Sequence, residues 1–404
     1  MAFQKTQNAV FETIKVLAIN LFTIKGKRIN LIDLFMGLQL YESIFEYFMS
    51  GKIFISDTTD MYKNESLSGN EEIQIILQER DIQRVYSFRL YKINRDFDVT
   101  KTSAKAKILE CYFFSKEKQI DNLNRISKKY WDFPDIIVQD IVQNVFVSPK
   151  QIFVDYASTL VEYHAGYVTG SKVIDFLTKN AVSDFGDSDY VFFESMAGFH
   201  FVPLSFLLGQ SSVENLKYIP KREMTFRIDD MQFFAQDAYF DINIDARQGL
   251  FGKTLYKMAD NDRYGIVKTA ATYEDNAANF LTNGRNLLFP SELFTSNNMV
   301  KAHYHNHDVT QVRSALMATL LHNNKLMVRT LGTLDRKVGD ILNVEYPNQD
   351  NIAEPNTSLD GSWIITAIKH TITNSFEYNQ NMMLAKNARN LDLTLPGATG
   401  DIVI

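Results

Sequence analysis

Residues 325–387 constrain the fold most, because four strand patterns and three turn signals follow one another there with the spacing of a small barrel. Residues 325–332 read as a strand, and Arg336-Lys337-Val338-Gly339-Asp340 as a turn into a second strand over 341–347. A loop rich in Asn, Pro, Ser and Asp leads to a third strand over 361–372, and a fourth covers 376–387. Alternating apolar and polar residues bounded by Gly, Pro and Asn mark half-buried strands, since successive side chains point to opposite faces.

The same texture fills the first ~120 residues, where strand patterns fall at 9–19, 29–35, 41–45, 50–57, 67–77, 86–93 and 106–113. Lys25-Gly26-Lys27 breaks the first pair, and Gly51 and Gly69 permit tight turns that a Cβ would obstruct. Ile73, Ile75 and Leu77 share one face. Six or more strands at this spacing point to a closed or nearly closed barrel. A chain of 404 residues exceeds what one core usually serves, so two or more domains are expected. With 30 Phe and 19 Tyr against 8 Pro, strand-rich cores and large aromatic contacts are favoured.

Between the barrels the period changes. Residues 136–146 follow Pro134-Asp135 with apolar positions at 137, 138, 141, 142 and 145, one face of a helix. A second helix is expected over 171–180 with Ser171 as N-cap. Residues 189–204 read as strand, turn, strand, and 205–208 as a short helix. Residues 227–230 and 240–243 enter the second barrel, 249–258 form a strand of it, and 259–309, rich in Asn, Asp and Thr, read as an insertion. A helix over 312–321 returns the chain to the barrel.

A net charge of -6 gives no general attraction for polyphosphate, though it leaves room for a local basic patch. The single cysteine, Cys111, has no disulfide partner and reads as a small buried hydrophobe. No apolar run approaches the roughly 18 to 20 residues of a bilayer span. The first eight residues lack the layout of a signal peptide, so assembly in a cytoplasm is expected.

Few residues carry chemistry. His303, His305 and His307 alternate, and on a strand they would share a face about 7 Å apart. That makes them metal candidates of low weight, because one strand sets them in a row while a tetrahedral site draws ligands from several elements. A metal-dependent enzyme built on these histidines is the alternative of another class. Glu194-Ser195 and Asp187-Ser188-Asp189 lack a partner spacing for acid–base work and read as solvated. Phosphate loop, nucleophile elbow and Cys-x-x-Cys are all missing, so neither catalysis nor a cofactor is expected. Trp363 reads as core and His370 as hydrogen-bonded to a neighbouring strand. The tail alternates at Leu391, Leu393 and Leu395 before Pro396-Gly397, which reads either as a strand able to join another chain's sheet edge or as disorder.

Two groups of residues carry a family likeness. One is Val338-Gly339-Asp340, Gly361-x-Trp363-x-Ile365, His370, the return strand with Tyr378, and a closing Lys386-Asn387. The other is Glu42-Ser43-Ile44-Phe45, Ser50-Gly51, Ile55-x-Asp57 and Leu67-x-Gly69-x-Glu71. In this order they resemble the baseplate hub proteins of contractile-tailed phages, T-even-like tail hubs related to the hub part of type VI VgrG proteins. The residues 189–208 and 249–258 are similar to the inserted module and a Gly-containing strand of the same hubs.

The resemblance implies an α+β, mainly β chain with two similar antiparallel β-barrel, tube-like domains and inserted α/β modules. The expected order is a first barrel at 1–120, an α/β module at 121–215, and a second, discontinuous barrel at 216–258 and 310–387. Residues 259–309 would be the insertion and 388–404 a tail. It further implies a structural, non-enzymatic baseplate hub in the virion tail, a homotrimer with pseudo-sixfold symmetry. Such a ring joins the hexameric tail tube protein to the trimeric central spike protein, with the tape-measure protein and baseplate wedge components as neighbours. DNA would pass its channel without sequence-specific binding, and net negative charge is compatible with that passage. A type VI-like or other contractile injection hub is the alternative. A type VI spike hub is expected to continue into a needle or effector domain, whereas this chain stops soon after the second barrel.

Overall fold

The computed structural model describes residues 14–58, 60–96, 107–184, 189–218, 230–233, 252–258, 266–272, 295–299, 324–345 and 359–386. Alternation in the N-terminal part becomes seven strands: β1 (Lys15–Phe22), β2 (Arg28–Asn30), β3 (Phe35–Ser43), β4 (Ser50–Asp57), β5 (Glu72–Glu79), β6 (Ile82–Asp96) and β7 (Lys107–Ser115). Ile73, Ile75 and Leu77 are fully buried, as their period of two requires. They join Ile19, Leu40, Ile53, Phe88, Cys111 and Phe113 in a first core. Each such side chain contributes roughly 1.5–3 kcal/mol by leaving water. Cys111 is the small buried hydrophobe expected, with burial pushing its thiol up to about 12. One turn of helix, α1 (Met61–Asn64), begins where the Asp57 carboxylate accepts from the Met61 and Tyr62 N–H groups at 2.6 and 3.2 Å.

The middle of the chain has its own core. After α2 (Lys116–Leu123) come β8 (Ile126–Asp132), α3 (Pro134–Asp140), β9 (Ile152–Val154), β10 (Val161–Val168), α4 (Gly170–Asn180), β11 (Tyr190–Ser195), β12 (Gly198–Pro203) and α5 (Leu204–Leu208). The single helix expected over 136–146 is instead α3 followed by a π-helical stretch, Ile141–Val145. That wider turn still buries Ile137, Val138, Ile141 and Val142, but Val145 is only partly buried and Phe146 takes the core position. The expected cap also moves. Thr169, not Ser171, sits extended before α4 and accepts from the Lys172 N–H at 3.4 Å, while the Ser171 N–H donates to Asp121. The strand-turn-strand over 189–204 is the β11–β12 hairpin, buried on both faces, with Phe192 and Phe199 stacked at 5.5 Å.

The C-terminal part comprises β13 (Glu214–Tyr218), β14 (Asp230–Phe233), β15 (Gly252–Met258), β16 (Ile266–Thr272), β17 (Thr295–Met299), β18 (Asn324–Leu331), β19 (Ile341–Glu345), β20 (Gly361–Thr373) and β21 (Tyr378–Lys386). Where the sequence reading makes 249–258 a strand of the second barrel, β15 pairs with β16 and β17 in a three-stranded sheet of its own. The expected elements at 240–243 and 312–321 lie outside the described residues.

Among the described residues the strands of the two expected barrels are joined in one sheet. Thirteen strands make one sheet, ordered β19-β13-β14-β18-β21-β20-β3-β4-β7-β6-β5-β1-β2. A further β19–β20 pairing returns six C-terminal strands on themselves, whereas among the described residues the run from β3 to β2 stays open. The halves meet at β20 and β3, aligned from Ala367 opposite Ser43 to Thr373 opposite Gly37. An edge strand carries unpaired N–H and C=O groups, and each half satisfies the other's. Separate cores persist on either side, with Ile44, Leu216, Val344, Trp363 and Leu384 in the C-terminal one. No helix among the described residues is long and apolar enough to cross a membrane.

Candidate functional site

Glu42 occupies an inward position of β3, in line with Leu38, Leu40 and Ile44, and His370 lies between Ile368 and Ile372 on β20. Apolar neighbours at these periods force both polar groups into the interior, where they must find partners. Glu42 Oε1 lies 3.1 Å from His370 Nε2, and Oε2 accepts from the Met196 N–H of the β11–β12 turn at 2.8 Å. The Tyr378 hydroxyl is 2.7 Å from His370 Nδ1. With a hydrogen on Nε2 the imidazole donates to the carboxylate, while its Nδ1 faces the phenol.

The chain of contacts continues outward. Gln380 Nε2 donates to Tyr378 Oη at 3.1 Å and to the Thr333 carbonyl at 2.8 Å, while its Oε1 accepts from Arg336. Arg336, fully buried, forks onto Glu214 through Nε and Nη2 at 3.0 and 2.8 Å. Glu79 of the N-terminal half accepts from Thr333 Oγ1 at 3.1 Å and from the Leu334 N–H. Burial raises the Tyr378 phenol well above its ordinary value, keeping it a neutral donor. The cluster thus ties the N-terminal half, the middle module and the C-terminal half together at one point. Its chemistry is that of fixing geometry.

The remaining motif residues hold turns and close contacts. Gly339 has φ +89° and Gly361 φ +105°. The Gly339 N–H donates to the Ile365 carbonyl at 2.9 Å, and the Ile365 N–H donates to that of Asp340 at 2.9 Å. The Asp340 carboxylate accepts from the Lys337 N–H, and Val338 and Ile365 are buried in the C-terminal core. Trp363 donates from Nε1 to the Leu359 carbonyl at 2.8 Å, and Lys386 Nζ lies 5.4 Å from its ring centroid. Glu71 accepts from the Ser68 and Gly69 N–H groups at 2.7 and 2.9 Å, and Gly69 has φ +85°. Ser43 Oγ accepts from the Phe45 N–H as the chain crosses into the second core at Ile44. Gly51 stands inside β4, not in a turn; a Cβ there would lie 2.4 Å from the Gln39 carbonyl oxygen and 2.6 Å from the Phe113 ring.

Glu194 and Asp189, two of the carboxylates read as solvated, are buried. Glu194 accepts from the Met49 N–H at 2.9 Å, from Ser115, and from Lys150 Nζ at 2.6 Å. Lys150 also reaches Glu117 at 2.7 Å. Burial pushes the Glu194 carboxyl up against the pull of this lysine. Asp189 is fully buried because it accepts from the Ser205 N–H and hydroxyl at the start of α5. Ser195 Oγ is 2.8 Å from His200 Nε2, and the imidazole is stacked between Phe153 and Phe193 at 4.8 and 4.7 Å. Burial lowers His200 to about 3, so the ring stays neutral. Hidden among aromatics, this Ser–His pair is a packed pair of the interior.

The sequence reading assigned no role to Gln380, Glu214 or Lys150 and placed Arg336 only in a turn; of these, Gln380 carried a visible signal, a polar side chain within the apolar period of Tyr378, Met382 and Leu384. His303, His305, His307, Asp187 and Ser188 lie outside the described residues. Among those described, no group of three or more His, Cys, Asp or Glu side chains is placed to hold a metal ion.

No protein-family model and no curated protein matches the sequence. The structure is similar to the 43 kDa tail protein of prophage MuSo2 from Shewanella oneidensis, at 9% identity and a TM-score of 0.56, covering 92% of this chain and 98% of that one. It is also similar to the tail protein from Neisseria meningitidis MC58, at 9% identity and a TM-score of 0.55, covering 91% of this chain and 96% of that one. The chain has the fold of phage tail proteins. Within this phage tail fold the Glu42–His370 contact falls where the two halves of the large sheet share strands. Of the residues that carried the family likeness in the sequence, Glu42, His370 and Tyr378 meet at the junction, while others hold turns, a helix start, strand packing and core positions.

Proposed function

We propose that this chain is a structural baseplate hub of a contractile phage tail, assembled as a homotrimer that joins the tail tube to the central spike and frames the channel for DNA. The observation that carries this reading is the likeness to two phage tail proteins over nearly the whole of each chain. The physical support is the two-part sheet. Each chain brings two strand-rich halves rigidly joined at β20–β3, and three chains around an axis present six such halves. A ring of this kind meets a sixfold tube on one side and a threefold spike on the other. On this reading the halves are the two tube-like modules, residues 121–215 the inserted module, and the edge at β2, unpaired among the described residues, a place where a neighbouring chain adds. The motif residues Glu42, His370 and Tyr378 hold the halves in register rather than perform chemistry.

Light scattering on a sizing column tests it, with the purified chain alone and with a co-expressed candidate spike protein. A species at three times the 46.5 kDa chain mass, alone or only with the spike, is expected. A chain that stays monomeric with tube and spike candidates present, and that holds a stoichiometric metal lost on changing His303, His305 and His307, would replace this reading with the enzyme one.

A further inference from the structure

A groove of about 940 Å³ opens on the outer face of the large sheet, across the line where its two halves join. Its floor is built by register. Met327, Met383, Ala367 and Ser43 stand opposite one another on β18, β21, β20 and β3. A second row, from Asn381 through Lys369, Tyr41 and Ser50 to Phe114, runs on to β7. Strands lie about 4.8 Å apart, so the six strands make a trough roughly 24 Å long, the length of about seven extended residues. The Phe45–Phe48 loop and Lys118 of α2 form its wall, and Tyr91 stacks on Phe114 at 5.1 Å.

Charge is asymmetric along this trough. Lys369 Nζ stands 5.8 Å from the Tyr41 ring centroid and Lys118 Nζ 5.1 Å from that of Phe48, and among the described residues neither has a carboxylate partner. Nearby lysines do: Lys52 pairs with Glu110 at 2.8 Å and Lys116 with Glu72 at 3.2 Å. Of the two carboxylates at the groove, Glu42 is already engaged by His370 and Met196, and Glu46 is exposed on the loop. Methionine and aromatic side chains form an adaptable apolar floor, and half-buried cations braced on rings favour an anion above them.

We propose that this groove docks an extended, acidic segment of another protein, with alternate apolar side chains seated on the methionine and aromatic rows and its carboxylates against Lys118 and Lys369. The inference is independent of the hub reading, because it concerns one chain and needs no ring.

Fluorescence anisotropy with the full chain tests it, using a labelled seven-residue peptide that alternates leucine with aspartate and a second that alternates leucine with lysine. The acidic peptide is expected to bind, the basic one to bind more weakly, and Lys118→Glu with Lys369→Glu to invert that order by about tenfold. Lys118→Gln with Lys369→Gln, a milder change, should weaken the acidic peptide alone while the thermal transition stays in place. Equal binding of the two peptides, or no response to either lysine pair, would overturn the proposal. So would acidic-peptide binding that appears only after residues 388–404 are removed, or that is displaced by self-association, since the occupant would then be this chain's own tail or a second copy.

Discussion

The Glu42 carboxylate and the His370 imidazole meet at 3.1 Å across 328 residues of chain, both buried, on adjacent strands that belong to different halves of the sheet. A contact of such sequence separation adds nothing to either half alone. Its effect is to specify one relative placement, because a slip of β20 against β3 would leave a carboxylate and an imidazole buried without partners.

Replacing Glu42 by Leu should therefore destabilise the chain by about 3 kcal/mol, since the Met196 N–H and the His370 ring both lose their acceptor. Glu42→Gln, which keeps an acceptor, should cost about half as much. Urea denaturation would show it, and equal stability of the parent and Glu42→Leu would remove the junction from any role in holding the halves.

Lys150 bridges Glu194 and Glu117, whose side chains are almost wholly buried. Lys150→Met leaves two carboxylates facing each other, and a loss of about 3–5 kcal/mol is expected. The triple change Lys150→Met, Glu117→Gln and Glu194→Gln should recover most of it. A triple variant no more stable than the single one would show that charge was not the cause.

Gly51→Ala should cost about 1–3 kcal/mol by overpacking, because the new Cβ meets the Gln39 carbonyl and the Phe113 ring, neither free to move. Gly26→Ala offers the contrast. With φ +79° and nothing within 4 Å, it carries only backbone strain, about 1–2 kcal/mol. Near-UV circular dichroism should change for the first and stay unaltered for the second.

His200 titrates near 3 in the folded chain against 6.5 unfolded, because burial disfavours its charged form. Between those values the unfolded chain binds a proton that the folded one does not, so the penalty is absent above about pH 6.5 and grows as pH falls. Stability measured against His200→Phe, which keeps the ring stack, should drift in favour of the variant from pH 6.5 to 4. A flat difference would mean that the imidazole is hydrated.

Lys386 gives the same sign in an alkaline window. Burial lowers its amine to about 8, while its Nζ donates to the Asp360 carbonyl at 2.7 Å. Below pH 8 the folded chain bears the cost of a buried charge, and that cost is relieved as pH rises towards the ordinary value of 10.5. Relative to Lys386→Met, the parent should gain stability between pH 8 and 10.5; parallel curves would count against burial as the cause.

Local chemistry by itself determined the strands of 325–387, the Val338-Gly339-Asp340 turn, the buried row Ile73, Ile75 and Leu77, and the 189–204 hairpin. Each follows from side-chain period or from a positive φ that glycine accepts, and neither needs a distant partner. The family likeness of Glu42, His370 and Tyr378 could also be read there, but not that they touch. Only the tertiary structure decided that β20 and β3 join two halves into one sheet, that Gly51 serves a close contact instead of a turn, and that Glu194 and Asp189 are buried. Edge pairing and the burial of a carboxylate depend on which surfaces remain unsatisfied once local elements have formed, and partners such as Lys150 or Met196 reach those surfaces only through the fold.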